Sequence, residues 1–194
     1  MTEISTLTID PTINKLFNLY LETGGFLLSI NNYKQNLLTT FETYARWIEG
    51  DLSYFKKDSR FAKQILSAIS SKNASQSSIN SITKVTEISS PVTVKEYLSL
   101  FEDMQMLLVL HKYDTARKQW NYKKEKKYHF IDPLLYRLVA KWTETKEATR
   151  EAIIEATVAS HVYRWTQAYG SQIGFYNNGK FEVDIVVKSG NELI

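Results

Sequence analysis

The chain has 194 residues, enough for one large domain or two small ones, and no cysteine, which excludes disulfides, thiolate metal sites and cysteine nucleophiles together. With 43% hydrophobic and 23% charged residues it has the composition of ordinary globular material. No apolar run approaches a membrane span and the first ten residues lack the basic start of a signal peptide, so no membrane partner is expected and a cytoplasmic setting is the default. The net charge of +3 is mild but localised. Between residues 112 and 127, seven lysines and arginines stand against only Asp114 and Glu125.

In chain order, Asp10-Pro11 reads as an N-cap followed by proline in the first turn, and Ile13, Leu16, Phe17 and Tyr20 have helical spacing up to Gly24-Gly25. A second helix fits Gln35 to Glu49, with Leu38, Phe41, Tyr44, Ala45 and Ile48 inward and Gly50 as the stop. A third begins near Ser59 and carries Ala62, Ile65, Leu66 and Ile69. A polar loop over 70–78 leads to a short helix from Ser78 to Thr86, and Ser89-Ser90-Pro91 breaks the chain. Thr93 and Glu96 have capping-box spacing, ahead of a helix that buries Val94, Tyr97, Leu98, Phe101 and Met104.

Met106 to His111 reads as a strand, a basic loop follows, and Lys127 to Ile131 reads as a second strand closed by Asp132-Pro133. Three helices and then two strands make a winged helix-turn-helix over residues 58–132, preceded by a helical segment over 1–57. The remainder, 133–194, holds helices at Leu134–Trp142 and Glu144–Tyr169 and a hairpin. Asn178-Gly179 is a two-residue turn signal there. Alternation puts Phe181, Val183, Ile185 and Val187 on one face of the second strand and Glu182, Asp184 and Lys188 on the other. Ser189-Gly190-Asn191 then turns into the opening of a third strand that the chain does not complete. The expected fold class is α+β and helix-dominated.

Several landmarks have a familiar order: Gly24-Gly25-Phe26, the helix-turn-helix, Thr93-Val94 through Tyr97-Leu98, Lys127 through Asp132, Glu155 through His161, and Phe175-Tyr176 through Asp184. This string resembles the C-terminal half of a family of prokaryotic, especially archaeal, AAA-type P-loop ATPases. There a helical segment and a winged helix are followed by a domain similar to the PD-(D/E)XK nucleases. Leu27 stands where that pattern has proline, and Ala156 follows Glu155 where it has asparagine. No G-x-x-x-x-G-K-[ST] sequence occurs, so nothing here cradles a nucleotide in the P-loop manner. The chain looks like an excised or shortened C-terminal portion, ending in an incomplete restriction-endonuclease-like α/β unit.

The resemblance makes Glu155 and Asp184 the helix and strand carboxylates of a nuclease-like remnant, able in principle to hold Mg²⁺ through hard oxygen ligands. The acid and lysine of the family's third strand are missing, so catalysis by this chain is not expected. In a winged helix the basic loop is the wing. Arg117, Lys118, Lys123, Lys124, Lys126 and Lys127 would meet phosphates there, with Trp120 and Tyr122 on a sugar or base and Lys95 on the recognition helix. The other outward positions of that helix include Glu96, Glu102 and Asp103, which repel a phosphate backbone. His111 and His129 read as strand packing.

The expected function is thus a non-catalytic module of an AAA-type ATPase that contacts duplex DNA or protein, including the absent ATPase core. One alternative is a Mg²⁺-dependent DNA endonuclease completed by further residues or a partner; another is a stand-alone winged-helix transcription regulator. An open sheet edge near Glu192 to Ile194 would favour self-association or incomplete order there.

Overall fold

Capping and burial explain most element starts. Asp10 accepts from the Thr12 N–H, Asn36 from those of Leu38 and Thr39, Asp58 from that of Arg60, and Thr149 from that of Ala152. The computed structural model describes residues 10–72, 74–190 and 192–194. The helices are α1 (Pro11–Thr23), α2 (Leu27–Asn32), α3 (Leu37–Tyr54), α4 (Ser59–Ser71), α5 (Ile79–Thr83), α6 (Pro91–Asp103), α7 (Pro133–Thr143) and α8 (Arg150–Ala168). The strands are β1 (Leu107–Asp114), β2 (Gln119–Phe130), β3 (Gln172–Asn177), β4 (Glu182–Ser189) and β5 (Glu192–Leu193). They form one mixed sheet in the order β2-β1-β3-β4-β5, so the fold is α+β and helix-dominated.

β1 and β2 are antiparallel, and Ser77, just ahead of α5, adds a one-residue bridge to Lys126 on the outer side of β2. Among the described residues the only parallel pairing is β1 with β3, through His111–Gly174 and Lys112–Phe175. Gly174 is required at this join: a Cβ there would lie 2.4 Å from the His111 carbonyl and 2.2 Å from the Trp120 ring.

The two faces of the sheet bury different sets. Leu107, Tyr128 and Phe130 join Ile65, Val94 and Phe101 in the main core, which also takes in Leu135, Leu138 and Val139 of α7. That core therefore crosses the boundaries expected near residues 57 and 132. On the opposite face Leu108, Leu110 and Phe175 pack on Ala159 of α8.

Several local expectations are corrected. α3 runs through Gly50 to Tyr54 because Leu52, 1% exposed, continues its buried stripe past Ile48. α6 starts at Pro91 with Ser90 as its cap residue, which places Thr93 inside the helix; the capping box is instead Ser78–Ser81 on α5. α2 had no periodic signal, being only six residues long. The basic segment is not a loop, since most of it lies within β2.

The hairpin turn spans four residues, 178–181: Asn177 pairs with Glu182, and the Asn178 Oδ1 accepts from the Lys180 and Phe181 N–H groups. A third strand does form: the Val187 N–H donates to the Ile194 carbonyl and the Ile194 N–H to the Val187 carbonyl, both at 2.8 Å. The sequence readings that fall on residues 1–9, Asn73 and Asn191 lie outside the described residues.

Gly24 joins α1 to Asp132, the cap of α7. It sits at φ +62°, and a Cβ there would overlap the Asp132 Oδ1 at 1.8 Å. The neighbouring Gly25 N–H donates to the Asp132 Oδ2 at 2.8 Å. Gly24→Ala should combine backbone strain with loss of this contact, destabilising by roughly 2–4 kcal/mol. Thermal unfolding should show a Tm lowered by about 4–12 °C.

Candidate functional site

The sheet register turns the basic segment into a site. His111 pairs with Lys126 but Lys112 pairs with Asn121, so residues 122–125 bulge out of β2. Asn121 shapes the bulge by accepting from the Lys123 and Lys124 N–H groups at 3.1 and 3.2 Å. The bulge, the N-terminal turn of α6 and the Ser77 bridge enclose a cavity of about 320 Å³. Tyr122, Lys123, Lys124 and Lys126 line it from β2 and Lys95 from α6, and no acidic residue does.

Glu96 lies elsewhere, paired with the Lys57 ammonium at 2.7 Å, and Glu102 and Asp103 lie at the far end of α6. Among the described residues Lys126 has no carboxylate within salt-bridge distance. Burial lowers its pKa; Glu102 opposes that shift and the Lys95 charge adds to it. Two buried hydroxyls on the cavity wall, Ser77 Oγ and Tyr128 Oη, have no hydrogen-bond partner among the described residues.

Four residues expected in the wing do not line this cavity. Arg117 and Lys118 occupy the exposed β1–β2 turn, which is closed by Asp114 accepting from the Ala116 and Arg117 N–H groups. Trp120 is 8% exposed: its ring packs edge-on against Tyr113 and its Nε1–H donates to the Gln172 Oε1 at 2.7 Å. Lys127 is 3% exposed and faces the other side of the sheet, so it is withdrawn from any phosphate backbone.

The Lys127 ammonium is the centre of the second cluster. Its Nζ lies 3.0 Å from Glu155 on α8, and 2.8 and 2.7 Å from Glu182 and Asp184 on β4. It also lies 5.9 Å from the centre of the Phe175 ring. A second bulge makes this possible. Gly174 pairs with Val186 but Tyr176 pairs with Val183, so β4 carries an extra residue, and Asp184 and Ile185 both turn toward α8. This also explains why Phe181 and Val183 are exposed rather than core, contrary to simple alternation.

The two carboxylates expected to form a site, Glu155 and Asp184, thus do meet. Glu182 joins them, and Lys127 was assigned by sequence to the wrong surface. No sequence signal separates it from the basic run: Lys127 and His129 alternate with Tyr128 and Phe130 in a strand end that the structure buries on both faces. Three carboxylates form a hard donor set of the kind that suits Mg²⁺, but an ammonium already fills their centre. Among the described residues no group of His, Asp or Glu is arranged to hold a metal ion.

Burial works against the Lys127 charge, yet its hydrogen bonds to Asp184, Glu182 and Glu155 prevail and raise its pKa. Burial raises the Glu155 pKa, while Lys127 pulls it down. His129, fully buried beside this cluster, has no partner for either ring nitrogen; its Nε2 lies 3.8 Å from Glu155. Burial and then the Lys127 charge push its pKa down to about 4, so the ring is neutral at pH 7. His111 lies on the opposite face of the sheet, paired with Lys126 and not with His129.

The chain belongs to the family defined by a domain of unknown function, DUF8612, whose model matches residues 14–146. That span contains the basic cavity and Lys127, whereas Glu155, Glu182 and Asp184 lie beyond it. No curated protein and no solved structure matches the chain. No helix among the described residues is long and apolar enough to cross a membrane.

Lys127→Met leaves three partly hydrated carboxylates without their cation. It should destabilise by about 2–3 kcal/mol, below the usual cost of breaking a fully buried pair. Adding Glu155→Gln should recover part of the lost Tm, because one of the repelling charges is removed. A double-mutant cycle in urea reads the coupling.

His129 has a folded-state pKa below its unfolded value, so its contribution to stability is present above about pH 6.5 and is lost as pH falls toward 4. His129→Leu should therefore flatten the acid limb of the stability profile between pH 6.5 and 4 relative to the wild type.

Proposed function

We propose that this chain is a non-catalytic module that binds nucleic acid through a winged helix. The helices α4, α5 and α6 followed by β1 and β2, with Ser77 bridging the outer side of β2, have the element order and pairing of that fold. The observation that carries the function is the cavity between α6 and the β2 bulge. Four lysines converge on it, no acidic residue is among its lining, and two buried hydroxyls in its wall lack partners among the described residues.

Anionic oxygens satisfy all of these groups at once. A phosphate would neutralise Lys126, whose charge burial disfavours, and accept hydrogen bonds from Ser77 and Tyr128. The N-terminal turn of α6 adds the positive end of a helix dipole. Contacts of this kind position a nucleic-acid backbone but read little sequence, so a duplex would be bound with weak sequence preference. The landmark order supports placing the module with the AAA-type ATPases it resembles. A protein-contact surface accounts less well for a cavity that no acidic residue lines, whereas a regulator acting alone would use the same lysines.

The second reading, a Mg²⁺-dependent endonuclease, has one specific observation in its favour: Glu155 and Asp184 do converge, with Glu182. It requires a divalent ion to displace the Lys127 ammonium, which holds all three carboxylates.

A fluorescence-anisotropy salt titration with a labelled duplex tests the main reading. Four lysine–phosphate contacts give a log–log slope of about −3 to −4. The double variant Lys123→Glu, Lys124→Glu should weaken binding at least tenfold and flatten the slope, while Asp184→Ala should leave both unchanged. No binding at low salt would overturn the proposal. Mg²⁺-dependent cleavage that Asp184→Ala abolishes would favour the second reading.

A further inference from the structure

A second cavity, of about 180 Å³, opens beside the basic one, and Tyr122 lines both. α6 also borders each, with Lys95 at one and Glu102 at the other, where Gln105 follows just past the helix end. The chemistry of the second cavity is different. No lysine or arginine lines it. Its rings are Trp120, Tyr122 and Tyr163, and its polar groups include three glutamines, Gln105, Gln167 and Gln172.

Much of this polar capacity is unused by the protein. His111 Nδ1 is buried with no hydrogen-bond partner. Burial, with Lys126 adding to it, pushes the His111 pKa down to about 4, so the ring is neutral. Gln172 uses its carbonyl to accept from Trp120, which leaves its NH₂ group to donate elsewhere. Gln167 is exposed at the mouth, and its side chain makes no hydrogen bond among the described residues. Tyr122 packs edge-to-face with the His111 ring, centroids 4.6 Å apart and planes at 61°.

Aromatic faces, amide groups that both donate and accept, and a neutral imidazole suit a flat, uncharged, polar heterocycle. Glu102 adds an acceptor for an exocyclic amine. The neighbouring cavity supplies the phosphate site such a ring would bring with it. We propose that this cavity takes one unpaired, amine-bearing base, adenine or cytosine, from a strand whose backbone lies in the basic cavity. A paired base cannot enter, because its edge and faces are occupied within the duplex. Tyr122 is the positioning residue between base and phosphate. The inference rests on the nucleic-acid reading above and adds the form of nucleic acid preferred.

The test compares three labelled hairpin duplexes at one salt concentration: fully paired, with one unpaired adenine, and with an abasic site at the same position. The abasic probe keeps the backbone distortion and removes the ring. The adenine probe should bind roughly 5- to 150-fold more tightly than the abasic one, the range that contacts to one base give. Gln167→Ala, at an exposed position that folding does not need, and His111→Leu should each reduce that ratio and leave fully paired affinity unchanged. Equal binding of all three probes would overturn the base site and leave the phosphate site standing. No binding of any probe would overturn both.

Discussion

The Lys127 ammonium is the point on which the arrangement of this molecule depends. One buried cation on β2 receives carboxylates from α8 and from β4, and so ties the β1–β2 pair to the helix and hairpin that follow it. The backbone alone joins these parts weakly, since β1 and β3 share only two registered pairs. A buried charge is costly unless it is paired and hydrogen-bonded, so the ammonium enforces the positions of its three partners. The same constraint keeps Lys127 away from the basic surface and sets the environment that holds His129 neutral.

Both candidate surfaces arise where the sheet departs from regular pairing. The four-residue bulge in β2 lifts Tyr122 to Glu125 out of the ladder and brings two lysines toward Lys95. The one-residue bulge in β4 reverses the alternation between Val183 and Val186 and turns Asp184 toward Lys127. Regular strands would leave these lysines scattered along an edge and the carboxylates in solvent. Local disruption of pairing is a common means of aiming side chains at a site.

The helices were legible in the sequence because their signals are local. Asp10-Pro11, the start near Ser59 and the spacing of Ala62, Ile65, Leu66 and Ile69 place starts and buried stripes correctly. Glu155 and Asp184 were legible as candidates through resemblance. What escaped was set by tertiary pairing. Lys127 reads as one more residue in a basic run, and only the two-sided burial of the β2 end makes it an internal cation. Trp120 reads as a wing aromatic, but Gly174 leaves just enough room for its ring against β3. Alternation already sets Glu182 beside Asp184; their meeting with Lys127 across the sheet is what chain order does not reveal.

Hydrogen–deuterium exchange with and without an excess of duplex at low salt tests the central claim most directly, because it reports which backbone segments the nucleic acid covers. Added protection over residues 77–80, 91–95 and 122–126, with the segments around Glu155 and Asp184 unchanged, is the expected result. Protection centred on residues 150–160 and 182–188, or on the exposed face of α1, would contradict it and move the interface to another surface of the molecule.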